Sequence, residues 1–170
     1  MRKPEKEEYN PYFNRYISLV PEGDFIKLLK ENSREILHFF GNIPEEKHIY
    51  RYADGKWSIK DILMHITDTE RVMCYRALVA ARGDNNTLLC NMEEDLYARN
   101  VDVTGRTLES IISEFRSLRA ATELFFENLS DEASSSRAKT ETHPITARAV
   151  GFVLIGHPLH HMEVIRKRYL

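Results

Sequence analysis

Cysteine is scarce in this chain. Cys74 and Cys90 are the only two in 170 residues, too few for a disulfide framework. Long apolar runs are missing as well. No window approaches the ~18 apolar residues of a membrane span. The opening Met1-Arg2-Lys3-Pro4-Glu5 has no apolar stretch of the kind a secretion signal needs. Nor is there an excess of one charge: the formal net charge is -2, with basic and acidic residues interleaved. That excludes a nucleic-acid or membrane-surface partner recognised by bulk charge. The one basic run, Arg166-Lys167-Arg168, falls at the end of a helical pattern, where the helix macrodipole accounts for it. Strand-like alternation, internal repeats and low-complexity tracts are also missing. These absences describe a cytoplasmic, thiol-reduced protein with one domain.

What is present is helical periodicity. Residues 1–22 are polar, carry Pro4, Pro11 and Pro21, and read as an extended N-terminal arm anchored by Tyr9, Tyr12, Phe13 and Tyr16. A single domain over 23–170 follows. Asp24 is placed to cap a first helix whose apolar positions run from Phe25 to Phe40. Gly41 then stands where a left-handed terminating residue is expected. Ser58 and Asp61 form a capping box for a second helix reaching about Ala81. Gly83-Asp84-Asn85-Asn86 breaks it. Thr87 to Arg106 is a long connection with a short helix near Met92–Asn100, of a length that often carries function. Thr107 caps a third helix with Leu108, Ile111, Ile112, Phe115, Leu118, Thr122, Phe125 and Leu129 on one stripe. Ser130 to Pro144 reads as a loop. A fourth helix, apolar nearly all round, runs from Ile145 to the end. The class is all-α: a four-helix bundle with an N-terminal arm and a long connection between helices 2 and 3.

The histidines are what could do chemistry. His157 and His161 are four residues apart, so on a helix their rings stack on one face and can share one ion. His160 lies on the flank. Far upstream, His65 shares a helical face with Ile62, Thr69 and Val72. It can be a third ligand, or a core histidine bonded to a carbonyl and a hydroxyl. Three neutral imidazoles with an open position suit a divalent transition metal. The pattern is not HExxH, because no Glu stands between His157 and His161. Pro158 predicts a kink or a locally opened turn at Leu154.

Asp68, one turn after His65, is a candidate to orient a ligand or accept a proton, and His160 is the alternative proton carrier. Arg71 reads as a surface ion-pair partner. Cys74 lies nine residues after His65, about half a turn out of phase, and is excluded as a ligand. Cys90 reads as structural. Trp57 is placed at the bundle end, with a pocket wall as the alternative. Tyr97 reads as a core plug, with closure over the site as the alternative.

Taken together, Lys56-Trp57-Ser58-Ile59-Lys60-Asp61 leading to His65, Asp68-Thr69-Glu70-Arg71 after it, and Gly156-His157-Pro158-Leu159-His160-His161 near the end resemble the DinB-like superfamily of YfiT-like metal-dependent hydrolases. The resemblance covers nearly everything after Asp24. It implies a four-helix bundle with a divalent metal, zinc or nickel, on His65, His157 and His161. It also implies dimerisation through bundle helices. Some similar proteins are transferases using low-molecular-weight thiols, and others are isomerases. Pro158 departs from the pattern: Glu is often found there, so a possible acid/base group is missing.

Two functions are compatible with these features. One is a hydrolase or thiol S-transferase acting on a small molecule at the metal. The other is a non-catalytic dimeric helical module, stress-related, with a structural metal or none. A fourth protein ligand would favour the second.

Overall fold

The computed structural model describes residues 1–170. Four long helices form the bundle: α2 (Phe25–Gly41), α3 (Ile59–Ala81), α5 (Leu108–Glu127) and α7 (Ala147–Arg168). Each starts at a side-chain cap. Asp24 accepts from the Lys27 N–H, Thr107 from Ser110 and Thr146 from Ala149. Ser58 and Asp61 make the reciprocal capping box that their spacing predicts. No helix is long and apolar enough to cross a membrane.

The apolar core falls into two clusters. One contains Phe25, Leu29, Met73, Phe126 and Val153; the other contains Ile36, Ile66, Phe115, Met162 and Ile165. Between the clusters three of the four helices contribute buried polar side chains: Asn32 from α2, Glu70 from α3, and Arg119 and Thr122 from α5. Arg119 donates to both carboxylate oxygens of Glu70, to Asn32 Oδ1 and to the Leu154 carbonyl of α7. Thr122 also donates to Glu70, at 2.8 Å. The bundle is thus crossed by one hydrogen-bonded layer centred on Arg119, in which Asn32 Nδ2 alone of these side-chain groups is left without a partner.

Four expectations from the sequence need correction. Residues 1–22 are not extended. They coil through short turns into a one-turn helix, α1 (Asn14–Ile17), because Tyr9, Tyr16, Ile17 and Val20 all bury against α7 and its neighbours. A buried ion pair fastens this segment: Glu8 accepts from Thr146 Oγ1 at 2.8 Å and Arg148 Nε at 2.6 Å. Gly41 is not left-handed. It is the last helical residue, and Asn42 follows at φ -105° with its own N–H bonded back into the helix. The stretch 130–144 is not all loop. It holds α6 (Asp131–Ser135) and β2 (Arg137–Thr140).

β2 is the centre of a small sheet that alternation did not reveal. It pairs in parallel with β1 (Leu88–Leu89) and antiparallel with β3 (Ile145–Thr146). Strands this short have too few positions to show a period. The fourth correction concerns Pro158. Of the kink or opened turn expected there, the opened turn is not found: α7 is helical from Ala147 to Arg168, and the Leu154 carbonyl that Pro158 leaves free is taken by Arg119 at 3.0 Å.

The long connection contains α4 (Glu94–Asn100), close to its expected position. The small sheet ties this connection to the segment preceding α7. The connection and the sheet pack on α3, while α1 packs on α7.

Candidate metal centre

The site lies where α3 and α7 pack side by side. His65 comes from the second turn of α3, and His157 and His161 from the middle of α7. His157 is buried; the other two are partly exposed. His65 Nε2 stands 3.1 Å from His157 Nε2, and His161 Nε2 stands 3.0 Å from the same atom. One potential ligand atom from each residue lies within 4.8 Å of the others.

This geometry fits a cation better than it fits hydrogen bonds. A neutral imidazole nitrogen carries one N–H or one lone pair. His157 Nε2 can therefore satisfy only one of its two nitrogen neighbours by an N–H···N bond. A cation among the rings would accept all three lone pairs. Tetrahedral metal–nitrogen bonds of ~2.1 Å place nitrogens about 3.4 Å apart, a few tenths of an ångström wider than the 3.0 and 3.1 Å seen here.

The rings are also held neutral, as ligation requires. Burial pushes His65 down to about 4, slightly opposed by Asp95. Burial pushes His157 and His161 well below the usual imidazole value, with the neighbouring histidines adding to it. His65 Nδ1 is buried without a partner, and the Trp57 ring packs on this imidazole at 4.7 Å between centroids. Behind His157, Tyr16 of α1 presents its ring edge-on at 5.2 Å. The close approach is possible because residue 156 is glycine: a Cβ there would lie 2.1 Å from the Tyr16 carbonyl oxygen.

In front of the histidines lies a cavity of about 500 Å³. His65, His157 and His161 are part of its lining, with Trp57 and Tyr16 beside them. The long connection contributes Met92, Glu93 and Glu94, while the sheet region contributes Thr140, His143 and Ile145. No carboxylate or thiol joins the three imidazoles as a fourth protein ligand.

The other predicted residues are placed as follows. Asp68 lies outside the cavity lining and bonds Arg71 at 3.2 Å; burial raises its carboxyl despite that cation. Arg71 also pairs with Glu114 at 2.5 Å, as a surface role predicts. His160 packs edge-on against Tyr16 and His161, at 5.5 and 5.3 Å, and is likewise outside the lining. Cys74 faces Thr122 at 3.1 Å, away from the histidines, and burial raises its thiol to about 11. Cys90 is exposed. Tyr97 is exposed and neither plugs the core nor lines the cavity.

Two features were not read from the sequence. Arg119 sits within the third helix's apolar stripe, four residues after Phe115, and is buried where the spacing points to Leu118. Arg76 lies eleven residues after His65, close to three full turns, and lines the same cavity. Its phase was legible; its burial was not.

Fold and site together define a four-helix bundle that gathers three histidines in the lining of a cavity. The chain belongs to the DinB superfamily, whose sequence profile matches residues 28–165. Among solved structures it is similar to YfiT from Bacillus subtilis, described as a probable metal-dependent hydrolase with an unusual four-helix bundle topology. The two share 14% identity and a TM-score of 0.73, over 97% of this chain and 92% of that one. It is also similar to a mycothiol-dependent maleylpyruvate isomerase, at 12% identity and a TM-score of 0.65. That match covers 86% of this chain and only 61% of the isomerase. A mutant form of the same isomerase matches equally well in identity, with a TM-score of 0.63. No curated protein sequence matches the chain.

Proposed function

We propose that the chain is a metal-dependent enzyme acting on a small molecule, as a hydrolase or a thiol S-transferase. His65, His157 and His161 hold the divalent ion, zinc or nickel. The observation that carries this reading is the convergence of three imidazoles in the lining of one cavity, with His157 Nε2 3.1 Å from His65 Nε2 and 3.0 Å from His161 Nε2, and all three ligand atoms within 4.8 Å of one another. A divalent ion on these ligands supplies Lewis acidity toward a water or a thiol. The chain's own residues do the rest. Trp57 and Tyr16 fix two of the rings by contact. The cavity walls orient the substrate and limit its access to water. His160 is the proposed proton carrier in preference to Asp68, since its ring adjoins His161 while Asp68 is engaged by Arg71.

The similarity to a mycothiol-dependent isomerase supports a small thiol as one partner, and the match to YfiT supports hydrolysis. A homodimer in the cytoplasm is the proposed state, with exposed Tyr75, Leu78 and Leu124 available as apolar contact surface. The competing reading, a non-catalytic module, is disfavoured by the missing fourth protein ligand.

The test is a paired screen on protein stripped with chelator and reloaded with zinc or nickel. One arm measures ester and amide hydrolysis, and the other measures transfer of a low-molecular-weight thiol to model electrophiles. Turnover that appears on reloading and is lost in His157→Ala supports the proposal. Turnover unaffected by metal removal, or none in either arm, contradicts it.

A further inference from the structure

Arg76 is a buried cation without an anion. Its side chain is 9% exposed. The other buried arginine, Arg119, is neutralised by Glu70, and the largely buried Arg148 by Glu8. Arg76 forms no such pair. Its Nη2 donates to the Cys90 carbonyl at 2.7 Å, and its Nη1 reaches only the Met73 sulfur at 3.7 Å. The ionisable groups that act on it are the Cys90 thiol and, after it, Glu141, whose carboxylate is bonded to the Asn91 N–H at 3.1 Å. A desolvated guanidinium with neutral partners is costly unless something else supplies the charge.

The position of Arg76 indicates what that is. It lines the same cavity as the three histidines. Eleven residues separate it from His65 along α3, or about 16 Å of helix axis and about 20° from a shared meridian. Val72 and Met73 lie between them on the same wall, and Met92 faces in from the connection. Thr69 is the one polar side chain among them on α3, so this helix offers a mostly apolar strip between the histidines and Arg76, while the facing walls carry polar groups such as Asn91, Thr140 and His143. The cavity's two acidic wall residues, Glu93 and Glu94, begin the α4 region and make no ion pair with Arg76.

We propose that Arg76 anchors a carboxylate of the molecule handled at the histidines. The ligand class is then an elongated acid: anionic at one end, with an apolar flank against Val72 and Met73, and reactive at the other end. Arg suits this task because its planar fork binds a carboxylate through two parallel hydrogen bonds. The reactive end rests on the function proposed above; the carboxylate contact does not.

The test uses octanoate and 1-octanol as probes, titrated calorimetrically into wild type, Arg76→Gln, Arg76→Lys and His157→Ala. In wild type, octanoate should bind at least tenfold more tightly than the alcohol. Arg76→Gln should abolish that preference, Arg76→Lys should retain part of it, and His157→Ala should leave it within about threefold. Should Arg76→Gln fail to fold, the comparison of acid with alcohol in wild type and Arg76→Lys still decides. A parallel titration of nickel-loaded wild type with 8-mercaptooctanoate separates two sources of the carboxylate. Tighter binding than octanoate, with a sulfur-to-nickel absorption band, assigns the carboxylate to the thiol partner; equal binding assigns it to the other substrate. Equal affinity of octanoate and octanol in wild type, no binding of either, or an undiminished preference in Arg76→Gln overturns the proposal. Loss of metal binding in wild type with the octanoate preference intact would sink the metal reading alone.

Discussion

The carbonyl of Leu154 accepts a hydrogen bond from Arg119 Nη2 at 3.0 Å, and it is the carbonyl that Pro158 has no N–H to reach. A proline inside a helix ordinarily strands such a group. Here an arginine from α5 satisfies it, while the same guanidinium is neutralised by Glu70 of α3. One buried side chain of α5 thus ties α2, α3 and α7 to its own helix and satisfies the carbonyl that Pro158 frees just before His157 and His161.

Removing that side chain should be severe. Arg119→Met leaves the Glu70 carboxylate and the Leu154 carbonyl buried without their partner, and should cost about 3–5 kcal/mol by chemical denaturation. Glu70→Leu added to it should recover much of the loss, since an apolar pair is tolerated where a lone charge is not. Pro158→Ala added to Arg119→Met should recover about 1 kcal/mol, because the new N–H can reach Leu154. A double variant no more stable than Arg119→Met would refute the compensation.

Gly156 holds the N-terminal segment close. A methyl group there would lie 2.1 Å from the Tyr16 carbonyl oxygen, and backbone cannot yield as a flexible side chain does. Gly156→Ala should therefore displace α1, destabilise the protein by about 1–3 kcal/mol, and expose residues 1–22 to limited proteolysis. Unchanged digestion kinetics would show that α1 is not seated on this glycine.

Acid should loosen the same segment. Burial alone would raise the Glu8 carboxyl, but hydrogen bonds from Arg148, the Glu5 N–H and Thr146 bring it below its usual value. The sign follows from linkage: the folded state holds the proton less tightly, so the ion pair's stabilisation is present above about pH 4.5 and is lost as pH falls through the lowered folded value. Amide exchange in residues 5–20 should accelerate on acidification through that range, and Glu8→Gln should be faster already at pH 7 and lack this carboxylate-dependent step. The buried histidines add a wider effect of the same sign. His65, at about 4 in the folded protein, disfavours the fold as pH drops below about 6.5, since the unfolded chain takes the proton first.

How much of this was legible in the sequence depends on the kind of signal. Helix starts were, because Asp24, Ser58 and Thr107 act as caps within their own turn. The histidine set was, because four-residue spacing on a helix fixes His157 against His161. The β1–β2–β3 sheet was not: its strands hold two to four residues and pair across distant segments. Buried Arg119 and Arg76 were missed for a related reason. Arginine on a helix reads as surface unless its partner is known, and the partners of Arg119 lie on α2, α3 and α7. The N-terminal segment looked like an arm because polar residues and prolines dominate it. Its anchoring by Tyr16 under Gly156 is a tertiary fact.

Trp57 is the chain's single tryptophan, and its ring lies 4.7 Å from that of His65. Intrinsic fluorescence should report metal arrival directly. Nickel or cobalt should quench it, saturating at one equivalent, and zinc should then compete. His65→Ala should remove the stoichiometric step. Quenching that rises linearly without saturation would indicate collisions with free ion instead of a site.

The central claim is that three imidazoles from two helices hold one cation. The direct measurement is elemental analysis after loading with zinc or nickel and exhaustive dialysis, on wild type and on His65→Ala, His157→Ala and His161→Ala, with circular dichroism to verify the helices. The account predicts one metal per chain in wild type and at least a tenfold lower content in each variant at unchanged helicity. Metal retained in full by the His157→Ala protein, or a wild type that emerges empty from both loadings, would contradict it.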